Sequence, residues 1–445
     1  MKKKILGTIL ALGTALAACT AAGVSVMAAQ AGSVETAAPA IQKMYTINHS
    51  FGDGQKVTNV VLEYDTPIDP DSLSLDTYAV ENRIVTGVHT NDKAEETSTN
   101  VTGNYVVLDL LVQTPILDDS QATDGRMQDQ TVIDSASVQQ VKDVRSTEEA
   151  VIPASDAVFT TSAGDGGIMG NNAIITPDLD VFEDNHYYND PDTHAVLHYN
   201  LFKPEGWEDS GKTYPLVLFI PDASAVGTDW ETVLQCGNGG TVWASPDWQA
   251  GNPCFVVAMI YEDKYINDYN EYYESWMDGT MSLIRDLAAK YPVDTDRIYT
   301  TGTSMGAMAS MVMMEKDPDL FAAAYLAAGQ WADPEAVKDI WNQNIFFLMS
   351  EDDPSYPRAA TNVAVWEREG AKVAWQEIDV TNYNNITASV ASILSMDGNV
   401  RFLSIEKGHG TIDLAGNPLP GGHRATFRVA YDLPGIKEWL FAQHR

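Results

Sequence analysis

Continuous apolar runs alternating with amphipathic stretches dominate the chain from residue 173 onward, and they restrict its fold more than any other feature. Pro215-Leu216-Val217-Leu218-Phe219-Ile220 and Cys254–Ile260 contain no polar position. A strand tolerates that only where both faces of its sheet are covered, the usual condition of a parallel sheet. Further strands are expected at Ala195–Phe202, Arg297–Thr301, Ala322–Ala327, Asn344–Ser350 and Val373–Ile378. Between them, Asn270–Tyr291 sets Tyr273, Trp276, Met277, Met281, Ile284, Leu287 and Ala288 on one helical stripe. Met305–Lys316, Ala359–Glu369 and Gly435–Gln443 also read as helices. Such alternation predicts an open, mostly parallel α/β domain over residues 173–445.

Residues 41–165 follow another rule. Val60, Leu62 and Tyr64 share one face of an alternating run, and Tyr105–Leu110 repeats the pattern. Short alternating runs between Gly, Asn and Asp turns predict an all-β sandwich. The polar stretch Asp118–Glu149 is expected to be a long loop or an irregular edge, and Gly164–Asn172 a linker. At the start, Lys2–Lys4 precede an apolar run and small residues, so Met1–Ala31 reads as an export signal. Leu16-Ala17-Ala18-Cys19 fits a lipoprotein signal with a lipid anchor on Cys19; cleavage near Ala28 or Ala31 would instead release the protein. Either route predicts a secreted or cell-surface protein, and release is favoured.

Charge narrows the partners. The chain has 27 Lys and Arg against 62 Asp and Glu, a net charge of −35. Such a surface repels phosphate backbones and anionic headgroups, so nucleic acid is not expected as a partner. With 44% hydrophobic and 20% charged residues the composition is ordinary globular, so no membrane span is expected either. No paired C-x-x-C, EF-hand loop or phosphate-binding glycine loop occurs, so no metal or other cofactor is expected. Beyond the leader only Cys236 and Cys254 remain, either bridged or buried as thiols. Homo-oligomerisation stays open.

Gly302-Thr303-Ser304-Met305-Gly306 matches G-x-S-x-G. A strand stands before it and a helix-forming run after it, the setting of a nucleophile elbow. Such a turn exposes the serine Oγ at the positive end of a helix. A serine hydroxyl needs a histidine base, itself steadied by a carboxylate, and in this fold the order is Ser, acid, His. Glu351-Asp352-Asp353 follow the strand Asn344–Ser350; Asp353 is assigned, with Asp352 as the near alternative. After the serine stand His409, His423 and His444. His423 is favoured over His409 as a loop residue just before the last helix, while His444 lies at the chain end. His49, His89, His186, His194 and His198 precede the serine and fit structural or surface roles. Oxyanion donors are expected at the backbone N–H of Met305 and, from the loop after Pro215–Ile220, of Ala223. Trp230, Trp243, Trp248, Tyr269 and Tyr272 are read as core, with stacking on an aromatic or sugar group as the alternative.

These residues bring a family into view. Residues 173–445 resemble the secreted bacterial α/β-hydrolase carboxylesterases related to feruloyl esterases and polyhydroxybutyrate depolymerases. The resemblance runs through Tyr214–Ile220, Tyr291–Tyr299 into Gly302–Gly306, Asp317–Ala323, Glu351–Pro354, and His423 to Glu438–Phe441. Residues 41–165 are similar to the immunoglobulin-like domain that precedes such esterases, best at Val57–Tyr64. The resemblance implies an α/β-hydrolase fold, with Ser304 as nucleophile, Asp353 as acid and His423 as base. Its implied substrate is a small-molecule or polysaccharide-linked ester. The chain departs from the family at Pro221-Asp222, where His-Gly is usual, and at Gly306-Ala307, where Gly-Gly is common. Asn382–Val400 and Lys407–Gly422 look like insertions. A serine peptidase of the same fold, or a surface binding protein with an inactive hydrolase domain, remain the alternatives.

Overall fold

Alternation in the N-terminal strands sorts residues onto two faces. Val57, Val60, Leu62 and Tyr64 of the strand Gly54–Tyr64 enter one core, while Val61 packs on the opposite face with Ile47 and Val107. The computed structural model describes residues 40–112, 136–161, 173–227, 229–267, 269, 271–412 and 417–445. The leader with Cys19 and the expected linker lie outside them. Ile41–Phe51 and Gly54–Tyr64 form an antiparallel hairpin continued by Tyr105–Leu110 and Val85–Asn91. A second sheet of Tyr78–Val80, Ala136–Gln140 and Val158–Thr161 shares the same core. The Tyr64 hydroxyl joins the two sheets, 2.8 Å from the Tyr78 hydroxyl and donating to Gln140 Oε1 at 2.9 Å.

Two expectations change here. Asp118–Glu149 is neither a loop nor an edge throughout: Ala136–Gln140 is the middle strand of the second sheet, and Val144–Arg145 is a strand as well. The inward position Gln140 is polar, which hides the alternation, and its side chain is satisfied by Tyr64. Ala173–Ile175 does not open the hydrolase sheet either; it pairs in parallel with Ile41–Phe51 and extends the N-terminal sheet.

The second region is an α/β-hydrolase fold on a nine-stranded sheet. Its order is Glu183–Asn189, Val196–Phe202, Phe255–Ile260, Tyr214–Ile220, Val293–Thr303, Ala323–Ala327, Ile345–Ser350, Val400–Ile405 and Val373–Ile378. The first two pairings are antiparallel and all others parallel. Successive residues of Tyr214–Ile220 feed opposite faces. Leu216, Leu218 and Ile220 pack with Met277, Ile284 and Met311, while Val217 and Phe219 pack with Trp243, Tyr431 and Leu440. Covered on both sides, Tyr214–Ile220, Phe255–Ile260 and Ala323–Ala327 are buried at every position. The helix Met305–Lys316 is buried nearly all round, and Met308, Met311, Met313 and Met314 fill its surroundings with unbranched side chains. The edge strand Glu183–Asn189 is polar and mostly exposed, and no apolar pattern announces it.

The regions meet at the tip of the first hairpin. Ser50 Oγ donates to Leu234 O at 2.9 Å, and the Ser50 N–H donates to Asp178 Oδ2 at 2.8 Å. Gly52 lies so close to the helix Gly422–Ala430 that a Cβ there would stand 2.3 Å from Phe427 O. Beside it, Asp53 pairs with Lys56 at 2.7 Å and faces Arg428 Nε at 3.6 Å.

Candidate active site

Ser304 sits between the strand Val293–Thr303 and the helix Met305–Lys316 with φ 51° and ψ −112°. A non-glycine residue in such a conformation costs about 1–3 kcal/mol, which the neighbouring structure must hold in place. Two glycines make the turn sterically feasible. A Cβ on Gly306 would lie 2.0 Å from Ile220 O, and one on Gly302 would lie 2.6 Å from the Gly306 carbonyl carbon. The Ser304 N–H donates to Ala327 O at 2.8 Å, tying the turn to the next strand.

The structure brings Ser304, His423 and Asp353 together from three separate elements. The Ser304 hydroxyl is 2.9 Å from His423 Nε2. His423 Nδ1 is hydrogen-bonded to Asp353 Oδ2, which fixes the tautomer that leaves Nε2 free to accept from the serine. Asp353 is buried in the turn after the strand Ile345–Ser350, and its Oδ1 accepts from the Ser355 N–H at 2.8 Å. The acid strand is tied to the histidine helix by the Ser350 N–H, which donates to Thr426 Oγ1 at 3.1 Å.

His423 is not a loop residue as expected: it occupies the first turn of the helix Gly422–Ala430, ahead of a second short helix, Ile436–Phe441. The earlier helix carries Arg424 and Thr426 among its buried positions, so its start is hard to place from sequence. The Phe427 ring packs edge-on to the imidazole, with centroids 4.9 Å apart.

The alternatives go elsewhere. Asp352 Oδ2 accepts from the Gly408 N–H at 2.8 Å and so anchors the loop that carries His409. His409 itself faces Glu406 at 3.6 Å. His194 and His198 stand four residues apart, a spacing that pairs side chains on a helix, but His198 lies on the strand Val196–Phe202 and contacts Glu262 instead. Among the described residues no group of three His, Cys, Asp or Glu side chains is placed to hold a metal. Cys236 and Cys254 are unbridged, and burial pushes the Cys254 thiol up to about 12.

Met305 and Ala223 both line the cavity that holds Ser304 and His423. The loop bearing Ala223 is clasped from two sides. Asp222 Oδ1 accepts from the Ser224 N–H, and Tyr265 donates to Pro221 O at 2.9 Å. Arg424, next to His423 in sequence, faces Asp222 Oδ2 at 3.6 Å and donates to Ser224 Oγ at 3.3 Å. The departure Pro221-Asp222 therefore has a partner: an ion pair links the carboxylate of the loop bearing Ala223 to the histidine helix. No local pattern marks Arg424, because its partner Ser224 lies 200 residues away in the chain.

The cavity is about 840 Å³, within the range of small-molecule sites. Tyr265, Tyr269, Tyr272 and Tyr273 are among its lining residues, Tyr269 being 81% exposed. Trp243 and Trp248 are buried in the core instead.

Comparison with known proteins extends this picture. Residues 43–153 match the family model of the esterase Ig-like N-terminal domain, and residues 261–356 match that of the prolyl oligopeptidase family. Acetylxylan esterase A of Emericella nidulans is 30% identical over 138 residues, 29% of this chain and 34% of that protein. The chain thus spans about a third of that curated relative's length. A crystal structure of a thermostable esterase is similar with a TM-score of 0.67 at 25% identity, covering 91% of this chain and 100% of that one.

Proposed function

We propose that this chain, an α/β-hydrolase of the esterase type carrying an esterase Ig-like N-terminal domain, is a serine carboxylesterase working through an acyl-enzyme on Ser304. One observation carries the reading: the Ser304 hydroxyl is 2.9 Å from an imidazole that Asp353 holds from its other side, in an open cavity.

Ser304 Oγ attacks the ester carbonyl carbon while His423 Nε2 takes its proton. Asp353 stabilises the imidazolium that forms. The backbone N–H groups of Met305 and Ala223 hold the developing oxyanion, where fixed dipoles act without reorganising. Collapse breaks the bond to the alcohol oxygen, which leaves with the proton from His423. Water, deprotonated by the same imidazole, then frees the acid and restores Ser304.

Ser304→Ala is expected to lower kcat for a p-nitrophenyl ester by a factor on the order of 10⁶. Turnover equal to the wild type would reject the reading. A second reading has its own support: the prolyl oligopeptidase match covers Ser304 and Asp353. A p-nitrophenyl ester beside the matching anilide separates the two, and esterase function predicts turnover of the ester alone. We also infer export, from the basic, apolar and small-residue order of Met1–Ala31. Mass analysis of the mature N-terminus tests it, and an intact leader on the released protein would contradict it.

A further inference from the structure

Gln330 follows the strand Ala323–Ala327 and lines the same cavity as Ser304 and His423. It is 3% exposed, yet neither its Nε2 nor its Oε1 has a hydrogen-bond partner among the described residues. Its backbone is well anchored. The Ala328 N–H donates to Leu348 O at 2.9 Å, and the Trp331 N–H donates to Asn362 Oδ1 at 2.7 Å, with Asn362 Nδ2 returning a bond to Trp331 O at 2.9 Å. Three other buried polar groups of the cavity wall are used, Asp353 by His423, Asp222 by Ser224 and Tyr265 by Pro221, while Arg424 Nη1 has only the 3.6 Å charge contact with Asp222.

A buried amide without a partner is unfavourable, and an apolar side chain of similar shape would fill the same space without that cost. A ligand that pairs with the amide on binding recovers what the free protein lacks, and a site built this way discriminates against analogues that lack the group. The carboxamide offers donors on Nε2 and an acceptor on Oε1. A carbonyl or ether oxygen on the ligand would leave Oε1 unpaired; a hydroxyl can both accept and donate.

We propose that Gln330 is a specificity-determining residue, whose carboxamide pairs with a hydroxyl group carried by the ester substrate close to the scissile bond. The proposal rests on the esterase reading of the same cavity. The hydroxyl can belong to the acyl part or to the alcohol part, and substrate pairs that exchange a hydroxyl for a methyl distinguish these sources. Ethyl lactate against ethyl isobutyrate, and ethyl β-hydroxybutyrate against ethyl isovalerate, probe the acyl part. Hydroxyethyl acetate against propyl acetate probes the alcohol part.

The wild-type enzyme is expected to favour the hydroxylated member of at least one pair by about tenfold or more in kcat/KM, equivalent to about 1.4 kcal/mol. Gln330→Met, an apolar near-isostere, is expected to bring that ratio within about twofold of unity. The same variant is expected to melt no lower than the wild type, since it removes an unpaired buried amide. A wild-type ratio near unity in every pair overturns the proposal. So does a ratio that Gln330→Met leaves intact, or a lower melting temperature with unchanged selectivity, which would mark a structural role. An enzyme that hydrolyses none of these esters, nor a p-nitrophenyl ester, overturns the esterase reading itself. One that hydrolyses them without discrimination overturns only the role of Gln330.

Discussion

In the hydrolase region every residue of Tyr214–Ile220, Phe255–Ile260, Ala323–Ala327 and Ile345–Ser350 is buried. In the N-terminal sandwich, strands such as Ala136–Gln140 alternate between buried and half-buried positions. A sheet clamped between two packed layers can hold a strained turn at its edge, and Ser304 with its positive φ stands on such a turn. The positive-φ residues of the sandwich, Asn82 and Glu149, are exposed instead, and among the described residues none that lines the active-site cavity precedes Asp222. Its approach to the chemistry is indirect, through the tip at Gly52 against the helix that carries His423. The two regions thus differ in their relation to the cavity: one holds Ser304, Asp353 and His423 together, and the other packs against the helix that carries His423.

Substitutions can break or sharpen that division. His423→Ala is expected to lower kcat by a factor on the order of 10⁴ or more, while His409→Ala, in a loop anchored by Asp352, stays within about twofold. Equal losses in the two variants would show that the chemistry is not confined to the assigned helix. Next in size, Arg424→Ala frees the loop of Ala223 from the histidine helix and is expected to lower kcat by about ten- to a hundredfold, with KM changed less.

Gly52→Val tests the sandwich directly. Its side chain would collide with Phe427 O and displace the helix, so a loss of about tenfold in kcat is expected from a residue outside the cavity. Unchanged kinetics in a folded Gly52→Val protein would reduce the sandwich to a passenger.

The smallest expected effect is one of stability. Burial pushes the His49 pKa down, but hydrogen bonds to Asp178 and Glu96, with their charges, outweigh it and raise it from 6.5 to about 10. A pKa raised in the folded state contributes stability that is complete below 6.5 and is lost as pH rises through about 10. His49→Gln is therefore expected to cost about 1–2 kcal/mol at pH 6 in chemical denaturation, a gap that closes toward pH 10. A gap independent of pH would mean that His49 acts by shape rather than charge.

The hydrolase core was legible because its strands need no partner to be recognised: burial on both faces writes itself as uninterrupted apolar runs. Glycines at 302 and 306 were legible because only they clear Ile220 O and the turn backbone. Elements whose character depends on a neighbour were not. The strand Glu183–Asn189 is polar and owes its form to pairing with Val196–Phe202. Ala173–Ile175 is too short to show which sheet it joins, and Gln140 disguises an inward position by bonding to Tyr64. In the site, the order of serine, acid and histidine pointed to three residues that the fold does assemble. Arg424 and Gln330 carried no local pattern, since one is defined by a distant carboxylate and the other by a side-chain amide without a partner among the described residues.

Trapping the acyl-enzyme tests the central claim most directly. Rapid acid quench during turnover of p-nitrophenyl acetate, followed by peptide mass analysis, is predicted to find one acetyl group on Ser304 and no other side chain. Acetylation elsewhere, or steady turnover with Ser304 never modified, would contradict it.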